Sequence, residues 1–189
     1  VVHYTGAAIV NAANEGCLGG GGVDGAVSSA GGRALLQARR QLPLIKKAGN
    51  RGQIRCPTGD AKTTVAGDLG CSYVIHAVGP NYVMYNSDGE ADALLYKAYR
   101  ASMLEARKKK LHNLAFSLLS AGIFHGGRSL RDVLGIGLLA VSAATYGGLG
   151  AVVFVGFTAE ECDTLSALLG ELFPSDDADA RAAAADRLL

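Results

Sequence analysis

Prolines are scarce, 4 in 189 residues, and the 26 glycines follow no triplet repeat, so a collagen-like fibre is excluded. Neither sign of charge prevails. The 18 Lys and Arg against 17 Asp and Glu leave a formal net charge of +1, without the basic field of a general nucleic-acid binder or the acidic excess of a disordered chain. No run reaches the ~18 to 20 charge-free apolar residues of a membrane-spanning helix. The opening VVHYTGAAIV lacks the basic start and long apolar stretch of a secretory signal, and it reads as entry into a strand, so sequence upstream of Val1 is expected. Cys17, Cys56, Cys71 and Cys162 stand far apart with neither CxxC nor paired histidines, which speaks against zinc and for free thiols in a reducing compartment. No metal and no cofactor are expected. A phosphate-binding P-loop is also missing, because Lys62 in GDAKTT follows Ala61 rather than glycine, and the dinucleotide glycine fingerprint lacks its flanking context. What is there is a chain of one-domain length, 49% hydrophobic, able to bury a sizeable core.

Hydropathy patterning predicts alternating strands and helices. Ala7 to Val10 is a short apolar run, followed by a polar, glycine-rich loop from Asn11 to Gly25 and a helix over 26–42 that Gly31 and Gly32 weaken. Residues 50–70 hold one or two short strands, and Tyr73 to Val78 a further one closed by Gly79 and Pro80. From Glu90 to Leu111 apolar residues recur at helical spacing, with Lys108, Lys109 and Lys110 at the end that the macrodipole favours. That run reads as a solvated helix end ahead of an RNA contact. Leu114 to Leu119 is a second buried strand, leading into SAGIFHGG at 120–127. Ser129 with Asp132 opens a helix running to Gly147, Ala151 to Phe157 forms the last strand, and Thr158 with Glu161 makes a capping box for the last helix. Crossovers of helix length imply a largely parallel sheet covered on both faces, an α/β class. After Pro174 the composition turns Ala-rich and charged. The expected organisation is a domain over 1–174 and a tail or linker over 175–189.

Eight glycines fall between residues 16 and 32. Four in succession, Gly19 to Gly22, after a strand and before a helix expose backbone N–H groups to an anion such as a diphosphate, although a bare glycine run serves equally as a flexible turn. Asn11, Asn14 and Asp24 frame it with polar groups, and the second loop offers further backbone donors beside Phe124. Two donor-rich loops at one sheet edge suit a ligand with two phosphates. His76 lies inside an apolar strand and reads as a core histidine or one behind the site; His125, in the second loop, suits a ligand contact and a solvated loop position equally, and His3 and His112 carry no pattern.

At VNAAN, GGGGVDGAV, CPTGDA (56–61), VIHAVGPNY (74–82), SAGIF and VVFVGF the chain resembles the macro domain family, in particular its MacroD-type branch. The resemblance runs from about Ala7 to Phe173. It implies a three-layer α/β/α fold around a mixed six-stranded sheet, binding of ADP-ribose across the strand ends, hydrolysis of mono-ADP-ribose from acidic side chains, and deacetylation of O-acetyl-ADP-ribose. It implies catalytic roles for Asp24 and Asn14, the latter at the distal ribose. Ligand contacts follow for Gly20, Gly21, Gly22 and Val23 in the first diphosphate loop, and for Ser120, Ala121, Gly122, Ile123 and Phe124 in the second. Asn11, read from the sequence rather than the resemblance, directly follows the apolar strand and can present its amide to a sugar hydroxyl of the ligand. Phe157 falls beside adenine. Mono-ADP-ribosylated proteins are the implied partners of an intracellular monomer, cytoplasmic or nuclear. The family's adenine-reading aspartate falls ahead of Val1, SAGIFHGG stands where STGIYG is usual, and Val27-Ser28 replaces Ile-His. Asp24 is the only carboxylate within GGGGVDG and favours the hydrolase over a binding-only module; RNA in the same cleft is a remoter alternative.

Overall fold

The computed structural model describes residues 1–47 and 53–174, so the expected tail lies outside the described residues. The elements are β1 (Ala8–Ala12), α1 (Gly22–Arg40), β2 (Lys46–Lys47), β3 (Gln53–Ile54), β4 (Ala61–Val65), β5 (Tyr73–Ala77), α2 (Asp88–Lys108), β6 (Asn113–Ser117), α3 (Leu130–Ser142), β7 (Ala151–Val155) and α4 (Ala159–Leu172). Short 3-10 turns sit at Tyr82–Met84 and Ile123–His125. The main sheet runs in the order β4-β5-β1-β6-β7, all parallel except the edge strand β4. The α/β class with a mixed sheet holds. Among the described residues that sheet has five strands rather than six, and β2 and β3, two residues each, pair with each other in a separate antiparallel ribbon.

The period-2 alternation of strands decides which residue meets which layer. Ala8 and Val10 of β1, Ile75 and Ala77 of β5, and Leu114 and Phe116 of β6 pack into one core with residues of α2, α3 and α4. Ile9, Val74 and Ala115 face the other way and pack with Val27 and Leu35 of α1. Tyr99, Phe116 and Phe154 form a cluster of rings with centroids 5.5 to 6.2 Å apart in the first core. There the Tyr99 hydroxyl accepts from the Leu119 N–H at 3.0 Å and so anchors the start of the second loop.

Local chemistry sets the ends. Ser129 accepts from the Asp132 N–H at 3.1 Å, and the Thr158–Glu161 capping box is formed in both directions. α1 starts at Gly22, earlier than the apolar pattern suggests, and kinks at Gly32 (φ 62°, ψ −156°), a conformation only glycine adopts at low cost. β7 ends at Val155, leaving Phe157 in the following loop. α3 ends at Ser142 rather than at the Gly147 stop.

Candidate active site

Because β1 pairs in parallel with β6, the loops leaving their carboxyl ends emerge side by side. The first, between β1 and α1, folds on itself. Asn14 donates from Nδ2 to the Gly19 carbonyl at 2.9 Å and accepts from the Gly16 N–H at 3.1 Å. The loop ends on Gly21, which precedes α1 in extended conformation and provides no side-chain cap. The first N–H groups of α1 are therefore left for an anion. A β-carbon placed on Gly20 would lie 3.1 Å from Asn14 Nδ2 and 3.3 Å from Asp24 Oδ2, so these three residues converge on one point.

Asn11 shares the sheet face of Ile9, and that face is covered by α1. It is fully buried and donates to Asp24 Oδ1 at 2.8 Å, with its Nδ2 3.4 Å from His76 Nδ1. The expectation that Asn11 offers its amide to a ligand is therefore corrected: strand parity turns it beneath Asp24. His76, paired with Asn11 across β1 and β5, continues the network to Thr64 Oγ1 at 2.9 Å. Burial, and secondarily the positive charge of Arg39, hold its pKa well below the ordinary 6.5. Its placement behind the site agrees with the sequence reading.

Asp24 lies in the first turn of α1 and is only 3% exposed. Its Oδ1 also accepts from Arg39 Nη2 at 2.8 Å, an ion pair with side chains 1% and 4% exposed. Arg39 donates in addition to Ser28 Oγ at 2.8 Å, while Ser28 donates to the Asp24 carbonyl at 2.6 Å. The serine that departs from the family pattern is thus the arginine's second partner. Asp24 Oδ2 has no partner among the described residues. One carboxylate oxygen is fixed and the other is uncommitted.

Phe124 and Asn14 share the wall of a cavity of about 740 Å³, with Glu15, Gln53, Arg55, Thr58, Met84 and Tyr85 among its other lining residues. This lies within the usual range of small-molecule sites. In the second loop Ser120 is buried, at positive φ, and donates to the Pro80 carbonyl at 2.7 Å, so its side chain holds the loop. Ala121 is buried as well, Gly122 is exposed, and Ile123 is 91% exposed. Gly21 and Gly22 are exposed, Gly22 at φ +57°, and Val23 is half-buried against the α1 core. Phe157 is 96% exposed beyond β7, next to β6 in the sheet and outside the cavity wall. Cys17 is buried at φ 54° and packs with Cys56 beneath the loop. Cys17 Sγ donates to the Asn14 carbonyl at 3.5 Å and Cys56 Sγ to the His76 carbonyl at 3.9 Å, and the mutual influence of the two thiols lowers the pKa of Cys17 and, together with burial, raises that of Cys56. The four cysteines are free. Among the described residues no group of three or more His, Cys, Asp or Glu could hold a metal ion, and no helix is long and apolar enough to cross a membrane.

Sequence reasoning missed Arg39, Arg55 and Glu15. Arg39 carried no local signal: in a continuous helix it would lie about 22 Å along the axis from Asp24, and the two meet because α1 kinks at Gly32. Glu15, adjacent to Asn14, accepts at Oε1 from the Thr58 N–H (3.0 Å) and Oγ1 (3.1 Å). Arg55 depends on a pairing, its N–H to the Glu15 carbonyl at 2.8 Å, that no local spacing reveals.

The family profile described as Macro domain matches residues 10–129. The chain belongs to the macro domain family. Among curated relatives, this macro domain is 42% identical over 153 residues to the "Macro domain-containing protein in gbd 3'region" of Cupriavidus necator, covering 81% of this chain and 83% of the relative. It is 38% identical to the O-acetyl-ADP-ribose deacetylase of Klebsiella pneumoniae, over 80% of this chain and 82% of that protein. An Oceanobacillus iheyensis macrodomain variant solved with ADPR superposes with a TM-score of 0.77 at 29% identity, covering 91% of this chain and 89% of that one. The Trypanosoma brucei macrodomain in complex with ADP-ribose gives 0.71 at 30% identity, over 88% and 64% of the respective chains.

Proposed function

We propose that this macro domain, a single unit over 1–174, binds ADP-ribose and hydrolyses mono-ADP-ribose from acidic side chains of modified proteins, with deacetylation of O-acetyl-ADP-ribose as a related reaction. The observation that carries the reading is the convergence on Gly20 of the Asn14 amide and the unpartnered Asp24 Oδ2, at the uncapped start of α1. The similarity to a protein named O-acetyl-ADP-ribose deacetylase and to structures solved with ADPR or ADP-ribose supports the ligand class.

The chemistry makes modest demands. An ester between ribose C1″ and a Glu or Asp side chain releases a carboxylate whose conjugate acid has a pKa near 4, so little protonation is needed at pH 7. The site must hold the diphosphate, support an oxocarbenium-like transition state and place a water beside C1″. Gly20 to Val23 hold the first phosphate at the helix start, and the loop of Ser120 to Phe124 the second. Asn14 fixes the distal ribose, and Asp24 Oδ2 orients and deprotonates the water or the adjacent hydroxyl. Phe157 is free to pack on adenine. Serine ethers, whose alkoxide would need a strong acid, are poor substrates in this account.

The second reading, a module that reads ADP-ribose without turnover, is favoured by one observation: the Arg39 guanidinium already neutralises Asp24. Calorimetric titration with ADP-ribose, run beside release of ADP-ribose from glutamate-modified protein, separates the two. Binding with release supports the hydrolase; binding without release leaves the reader; binding of neither kind removes both.

A further inference from the structure

Arg55 lines the same cavity as Asn14, Gly16 and Phe124. It is 6% exposed, yet it enters no ion pair among the described residues. A guanidinium carries five N–H donors. Here Nη1 donates to the Gly16 carbonyl at 3.3 Å, Nη2 to Gln53 Oε1 at 3.1 Å, and Nε has no partner among the described residues. The other charged residue of the wall, Glu15, is turned to Thr58. A nearly buried cation without a carboxylate is costly and persists where a ligand supplies the missing anion. The Gly16 that Arg55 contacts also donates to Asn14 Oδ1, so this cation is tied to the residue assigned to the distal ribose.

Resting on that assignment, we propose that Arg55 is the acyl-recognising residue of the site, binding the carboxylate that leaves the ribose. In hydrolysis at C1″ the C1″–O bond breaks, its electron pair passes to the carboxylate oxygen, water oxygen bonds to C1″, and one proton is released. In deacetylation water adds to the acyl carbon, the acyl C–O bond breaks, the ribose hydroxyl keeps a proton, and acetate and one proton leave. In both reactions the substrate ester is neutral and negative charge grows on an acyl oxygen. A guanidinium placed there stabilises the transition state more than the bound ester, and it gives acidic acceptors and acetate a common anchor that ADP-ribose itself does not use.

The test uses Arg55→Gln and Arg55→Lys. The expected result is that Arg55→Gln lowers kcat for O-acetyl-ADP-ribose and for an ADP-ribosylated glutamate peptide by about 100-fold. ADP-ribose affinity stays within about twofold, inhibition by free acetate is lost, and Arg55→Lys recovers part of kcat. Unchanged kcat in Arg55→Gln, or ADP-ribose affinity falling in step with kcat, would overturn the assignment and leave Arg55 a support for Gly16. Should the wild type show no turnover, the hydrolase reading fails on its own, and acetate titrated into the ADP-ribose complex still decides: a binding signal abolished in Arg55→Gln supports the anion subsite, and no difference overturns it.

Discussion

Replacing Arg39 by Met keeps the aliphatic stem and removes the guanidinium, leaving Asp24 and its 4% exposed side chain without a counter-charge. The hydrogen bond from Asn11 remains, but the Arg39 Nη2 bond at 2.8 Å and the Nη1 bond to Ser28 disappear. Breaking a buried pair by removing one partner typically costs about 3 to 5 kcal/mol. In a domain of this size that lowers Tm by roughly 6 to 20 °C. Urea denaturation of the wild type, Arg39→Met, Asp24→Asn and the double variant measures it. The double variant should be more stable than the sum of the single losses predicts, because no isolated charge is left behind. A loss below about 1 kcal/mol in Arg39→Met, or strict additivity, would refute the idea that this pair is desolvated and mutually dependent.

Gly20→Val places a side chain between Asn14 and Asp24, 3.1 and 3.3 Å from their polar atoms; turnover should be abolished while the thermal transition moves little, since Gly20 is exposed. His76 is neutral in the folded protein because burial lowers its pKa from 6.5, so the unfolded chain binds the extra proton first. Stability therefore falls as pH drops below about 6.5, approaching 1.4 kcal/mol per pH unit above the folded pKa, and His76→Gln should flatten this slope in denaturation series between neutral and acid pH. Gly137→Ala puts a β-carbon 2.7 Å from the Tyr99 ring between α2 and α3, and a loss of about 1 to 3 kcal/mol is expected from overpacking by equilibrium unfolding.

The sequence made the strand-and-helix alternation legible because it is encoded locally: the helical spacing of α2, the Ser129 cap and the Thr158–Glu161 box all appear where expected. The bend of α1 was only hinted at, since Gly31 and Gly32 weaken a helix without saying that Gly32 adopts positive φ. Among the glycines outside the two loops, Gly137 is explained by the close approach of Tyr99, a contact across two helices. At the site, Asp24, Asn14 and Gly20 are near in sequence and near in space. Asn11 was misread because the parity of β1 depends on where α1 covers the sheet. Arg39, Glu15 and Arg55 were missed for a related reason: Arg39 reaches Asp24 only across the Gly32 kink of α1, and the partners of Glu15 and Arg55 are set by the packing of the CPTG segment on the first loop.

Release of ADP-ribose from glutamate-modified protein by the wild type and by Asp24→Ala is the most direct measurement of the central claim. The geometry predicts turnover by the wild type and a loss on the order of 100-fold or more in Asp24→Ala. Equal release by the two proteins would contradict the role assigned to Asp24 and, with it, the reading of the glycine loop as a hydrolytic site.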